Sequence, residues 1–117
     1  MERLEVTEYH PEGCDLLTVR GELDLSTVPD LCLRMSNLRQ SGRRPNAVVD
    51  LSELKFCDST GLRGLVGEAR EAEICGGRIR FVVPQTGIVR RLFDMCGMSE
   101  VLKVDFDRAS AMRALAV

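Results

Sequence analysis

The side chains of strongest chemical character fall together in Phe56-Cys57-Asp58-Ser59-Thr60-Gly61-Leu62, where a thiol, a carboxylate and two hydroxyls are consecutive. Nucleophilic catalysis by Ser59 would need a base beside it. The one histidine, His10, belongs to the far end of an N-terminal hairpin, and the flanks of Ser59 do not read Gly-x-Ser-x-Gly. An aspartic protease carries Asp-Thr/Ser-Gly, whereas two residues separate Asp58 from Gly61 and a helical pattern follows. Gly61, Gly64 and Gly67 match neither Gly-x-Gly-x-x-Gly nor a Walker loop with its lysine, and fit a closely packed helix instead. The five cysteines, Cys14, Cys32, Cys57, Cys75 and Cys96, contain no Cys-x-x-Cys pair. With a single histidine, no metal site is expected. Cys32, Cys75 and Cys96 lie in or at the ends of helical patterns and read as small buried hydrophobes. Cys57, beside Asp58 and Ser59, is the one whose oxidation would matter. No acid–base constellation remains, so the expectation is a protein that is not an enzyme and uses no cofactor.

Two readings of the stretch survive. Asp58, Ser59 and Thr60 are helix N-cap types, so they mark where a strand and loop become a helix. A hydroxyl there is exposed at the positive end of the helix dipole, among unpaired N–H groups, and a phosphate on Ser59 would be tolerated well. The plainer reading is that Asp58 or Ser59 only caps the helix.

The elements that must position this stretch follow from the apolar pattern. Residues 3–9 and 16–24 read as an antiparallel hairpin about the Pro11-Glu12-Gly13 turn. Thr27 and Asp30 fit a capping box, with Pro29 in the first turn of a helix that carries Val28, Leu31, Cys32, Met35 and Leu38 inward and ends at Ser41-Gly42. A buried strand at 47–51 and a loop at 52–58 lead to a helix from about 60 to 75, whose Leu62, Leu65, Val66 and Ala69 share one face. Gly76-Gly77 stops it. A strand at 79–83, a helix at 88–96, a strand at 101–104 and a C-terminal helix capped by Asp105 or Asp107 complete the chain. The order β-β-α-β-α-β-α-β-α implies an α/β fold, with a mixed, mainly parallel sheet that has an antiparallel edge strand and is packed with helices. Function in such sheets gathers outside the carboxyl ends of the strands. Asp24 follows strand two and Asp58-Ser59 follows strand three, so both should share one rim.

Composition sets the class. The 117 residues make one domain, 1–117, with 44% hydrophobic and 29% charged residues, ordinary for a globular protein. A net charge of −2 without a basic block argues against nucleic acid, and Arg39, Arg43 and Arg44 read as a solvated cationic cap on a helix end. No apolar run reaches membrane-spanning length, and the acidic N-terminus is no signal peptide, so no membrane partner and a cytoplasmic location are expected.

Four segments then carry a resemblance: Gly21-Glu22-Leu23-Asp24, Val48-Val49-Asp50-Leu51-Ser52, the Phe56–Leu62 stretch, and Val89-Arg90-Arg91-Leu92-Phe93-Asp94-Met95-Cys96-Gly97. In register from about residue 14 onward, they resemble the bacterial anti-sigma factor antagonists of the STAS family. The resemblance implies a STAS fold and regulation by partner exchange. Such a protein binds an anti-sigma factor that is itself a serine kinase of the GHKL ATP-binding class, and so frees the sigma factor. The kinase phosphorylates the serine after the motif's aspartate, here Ser59, and a PP2C-type phosphatase restores binding. The partner surface is then expected at Asp24, Asp58, Ser59, Thr60, Gly61 and Arg63. Cys57 stands where aliphatic residues are common in the family, and Arg63 where glycine is frequent. Arg63 either tunes partner choice, pairs with phosphate, or is an ordinary solvated helix residue. The competing reading is a STAS scaffold or assembly subunit without a kinase cycle.

Overall fold

A computed structural model describes residues 3–11, 13–41 and 46–116. Strand β1 (Glu5–Tyr9) turns back as β2 (Asp15–Leu23), and α1 (Val28–Arg39) leads to β3 (Ala47–Asp50). A tight turn gives β4 (Leu54–Cys57), followed directly by α2 (Ser59–Ile74) and β5 (Ile79–Val82). Helix α3 (Ile88–Met95), the single turn α4 (Met98–Val101), β6 (Val104–Asp105) and α5 (Arg108–Leu115) finish the fold. The strands lie in the order β1-β2-β3-β5-β6, with β4 paired to β2 alone. Only β1 runs antiparallel to its neighbour, so the mixed, mainly parallel sheet with an antiparallel edge is the one expected from the element order.

Alternation along β3 and β5 divides the apolar side chains between two layers. Val49 and Phe81 enter the larger core with Leu31 and Met35 of α1, Leu62 and Leu65 of α2, and Val89 and Phe93 of α3. Val48 and Val82 point the other way, onto Ala111 and Leu115 of α5. Phe81 and Phe93 are fully buried, each contributing roughly 1.5–3 kcal/mol of transfer free energy.

Several local expectations change. Strand β4 occupies what reads in sequence as loop, because Leu54 and Cys57 are buried while Lys55 and Phe56 are exposed, a four-residue pattern with no alternation. Its partner makes it a strand: Gly21, Glu22 and Leu23 pair with Leu54, Phe56 and Cys57 across a bulge between Gly21 and Glu22. Gly21 is required there, since its φ is +97° and a Cβ would lie 2.2 Å from the Arg3 carbonyl oxygen. The capping box at Thr27 does not form, because the Thr27 hydroxyl donates to the Glu22 carbonyl at 2.8 Å and accepts from the Asp24 amide at 2.9 Å. The expected strand at 101–104 is split. Gly97, at φ +71°, closes α3, residues 98–101 form one helical turn, and strand geometry begins only at Val104. Asp107 is the α5 cap, accepting from the Ser110 amide at 2.8 Å, while Asp105 holds Arg80 through two hydrogen bonds of 2.7 and 3.0 Å.

Arg39 is not a solvated cap. It pairs with buried Glu68 between α1 and α2, whereas Arg43, Arg44, Glu12 and Gly42 lie outside the described residues. Cys75 and Cys96 are exposed rather than buried, and Cys32 is half-buried. Among the described residues no helix is long and apolar enough to cross a membrane.

Candidate functional site

The site is built where β2 and β4 end side by side. Leu23 is in register with Cys57, and the Asp58 amide donates to the Leu23 carbonyl at 3.3 Å. Asp24 and Asp58 therefore share one rim, as expected from the sequence. The strand that carries Asp58 there is β4, however, not β3, so the two acids follow directly paired strands.

Each acid organises a turn. Asp58 is extended at φ −103° and ψ −175°, and its carboxylate accepts from the Gly61 amide at 2.8 Å, capping α2. Asp24 accepts from the Ser26 hydroxyl at 2.7 Å, the Ser26 amide at 3.0 Å and the Thr27 amide at 3.2 Å. These donors, the Ser26 hydroxyl foremost, hold the Asp24 carboxyl below its ordinary value. Asp24 thus fixes the entry to α1 as well as placing a charge on the rim.

Ser59 is the first residue of α2 and is exposed, while Thr60 behind it is half-buried. Gly61 is buried. A Cβ there would lie 2.5 Å from the Leu23 carbonyl oxygen and 3.0 Å from the Cys57 sulfur, so this glycine lets the helix start against β2 and shapes the rim from behind. Gly64 packs closely as well, with a Cβ meeting Val28 at 2.8 Å, but Gly67 faces open space and has no packing reason. Arg63 is exposed and makes no salt bridge among the described residues.

Cys57 does not suit redox chemistry. Its side chain is buried, and desolvation, then the Asp58 charge, then Cys96, push the thiol up to about 12. His10 stands by Asp15 at the start of β2, with Nδ1 2.8 Å from the carboxylate, whereas Ser59 follows the strand paired with the end of β2. Ser59 therefore has no imidazole base. Among the described residues no group of three or more His, Cys, Asp or Glu side chains is placed to hold a metal. An open cleft of about 680 Å³, lined by Arg3, Arg20, Glu53 and Lys55 among others, does not include Ser59.

Sequence reasoning missed two apolar side chains of this region. Leu25, between Asp24 and Ser26, is 74% exposed, and Phe56, two residues before Asp58, is 41% exposed. An apolar residue lodged in a polar turn was the available signal for Leu25. Both lie within two residues of the rim acids along the chain and leave apolar area uncovered there.

Comparison with known proteins gives a consistent picture. A family model described as Mlab, STAS domain matches residues 6–112. The chain is 27% identical over 114 residues to the anti-sigma F factor antagonist of Paenibacillus polymyxa, covering 97% of each. It is 31% identical over 87 residues to the anti-sigma-B factor antagonist of Staphylococcus aureus, covering 74% of this chain and 79% of the relative. An anti-sigma factor antagonist from Mycobacterium paratuberculosis superposes with a TM-score of 0.79 at 23% identity, over 97% of this chain and 95% of the other. The Bacillus cell fate determinant SpoIIAA in its phosphorylated form superposes with a TM-score of 0.64 at 21% identity, over 97% and 99%. At those identities the structural likeness is one of fold.

Proposed function

The chain belongs to the STAS-domain family, and from that premise we propose that it is an anti-sigma factor antagonist that works by partner exchange. Unmodified, it binds an anti-sigma factor that is a serine kinase of the GHKL class, and so frees the sigma factor. Phosphorylation of Ser59 ends that binding, and a PP2C-type phosphatase restores it. The exchange belongs to the cytoplasm, and the chain takes part as a binding partner and phosphate acceptor rather than as a catalyst.

Ser59 carries this reading: an exposed hydroxyl at the start of a 16-residue helix, on a rim shared with Asp24. A kinase can reach it without disturbing the core. Its phosphate, of about −1.5 to −2 charge, suits the helix N-terminus yet adds to Asp24 and Asp58 on the same surface. A partner fitted to the free hydroxyl then meets repulsion and an unmatched desolvation cost. Asp24, Asp58, Thr60 and Arg63 are assigned to the surface itself, with Gly61 supporting it.

Incubation with the cognate kinase and ATP, followed by intact-mass and fragment analysis, tests the assignment. One phosphate, on Ser59, is the expected product. A dominant phosphate on Thr60 or Ser110 would overturn it, and the absence of any transfer would favour the scaffold reading.

A further inference from the structure

We propose that Arg63 is an internal receptor for the phosphate of Ser59, holding it against the first turn of α2. The inference rests on Ser59 being the phosphoacceptor and concerns what happens to the phosphate once attached.

Arg63 lies four residues after Ser59, and both are exposed. On a helix, residues i and i+4 are neighbours on one face, with Cβ atoms about 5–6 Å apart. Side chains lean toward the helix N-terminus, so the guanidinium of Arg63 reaches back over the first turn. An acid at i with a base at i+4 is also the favourable order. The unmodified helix offers Arg63 nothing of that kind. The positions three and four residues away on either side are Ser59, Thr60, Val66 and Gly67, none of them acidic. Arg90 on α3, by contrast, has Asp94 four residues on, with Nε 3.6 Å from the carboxylate.

Neither acid of the rim forms an ion pair with Arg63 among the described residues. Asp58 caps α2 through the Gly61 amide, and Asp24 is engaged by Ser26 and Thr27. Gly61, pressed against Leu23, keeps the first turn from shifting, so positions 59 and 63 keep their spacing. A phosphate on Ser59 is therefore the acid that Arg63 is placed to meet, and the planar guanidinium can bind two of its oxygens at once. The pair neutralises part of the new charge where it is generated. Phosphorylation then stabilises the start of α2 despite the neighbouring aspartates.

The test uses full-length protein with phosphoserine encoded genetically at position 59, as the natural sequence and as Arg63→Gln and Arg63→Lys. Phosphorus NMR titration reads the second ionisation of the phosphate. Arg63 favours the dianion, so the midpoint should lie lower in the natural sequence than in Arg63→Gln, by on the order of half a pH unit. Arg63→Lys should recover part of that shift, and high salt should narrow the difference. Melting should show phosphorylation raising the transition more in the natural sequence than in Arg63→Gln, while the two unphosphorylated proteins melt alike. Equal titration midpoints with and without Arg63 would overturn the proposal. Because no kinase is used, that result leaves the identity of the phosphoacceptor untouched, and a failed kinase assay leaves this test untouched.

Discussion

Asp58 accepts from the Gly61 amide at 2.8 Å, so its carboxylate is committed to starting α2, while the Ser59 hydroxyl has no hydrogen bond to lose among the described residues. The cap therefore falls on Asp58, and the modification proposed for Ser59 falls on the residue beside it. Asp58→Ala should cost about 1 kcal/mol, the usual loss for an N-cap carboxylate. That is a fall in melting temperature of roughly 4 °C for a chain of this length. Ser59→Ala should change stability by under about 0.5 kcal/mol. Thermal melts of the two variants check this, and a reversed order would move the cap to Ser59. The cap was legible in sequence because carboxylate, hydroxyls and glycine come at N-cap spacing before an apolar helix face. The same signal misled at Thr27, whose hydroxyl is taken by the Glu22 carbonyl, a contact across five residues that local spacing does not encode.

Helix α2 and strand β4 show what an element reveals of itself. The buried face of α2 is periodic over 16 residues, enough to be read alone. β4 is four residues long without alternation, and only its pairing with the bulged end of β2 makes it a strand. The shared rim was still inferred correctly, because any strand running parallel to β2 beside it delivers Asp58 to the same end. Read alone, the glycines of α2 look equivalent, but their neighbours distinguish them. Gly61→Ala drives a methyl into backbone at 2.5 Å and should destabilise by about 1–3 kcal/mol. Gly67→Ala meets open space in a helix interior and should stabilise by roughly 0.5–1 kcal/mol. Urea titrations of both, read at constant m-value, would show opposite shifts in midpoint, and equal shifts would remove the packing role assigned to Gly61.

At the scale of the molecule, charge first serves the fold. Arg108 of α5 donates to buried Asp50 of β3 and to the Thr18 hydroxyl of β2 at 2.9 Å, tying the C-terminal helix across the sheet. Burial alone would raise the Asp50 pKa, but hydrogen bonds from Ser52 and Arg108 outweigh it and leave the group below its ordinary value. The associated stability is present above the unfolded carboxylate pKa and lost as pH falls through the lowered folded value. Asp50→Asn should therefore lose less melting temperature than the natural sequence between about pH 7 and about pH 3, and an equal loss would exclude this network from acid sensitivity. In the proposed switch, the rim at the strand ends uses charge differently. Ser59→Ala should bind the anti-sigma kinase with nucleotide present and resist being switched off, whereas Ser59→Asp should lose most of its affinity. The Ser59→Asp variant should stay folded, since aspartate suits the first turn and, like phosphate, places an acid four residues before Arg63. Its binding defect then belongs to the interface. Added salt should restore part of the affinity, because the new carboxylate acts beside Asp58 through exposed, screenable charge. Aspartate brings less charge than phosphoserine and a different shape, so phosphorylated protein should bind still more weakly. Titration of each form against the kinase, with melts alongside, decides the matter. If Ser59→Asp and the phosphorylated protein both remain folded and both bind as tightly as the unmodified chain, the phosphate does not operate the switch and the scaffold reading replaces it.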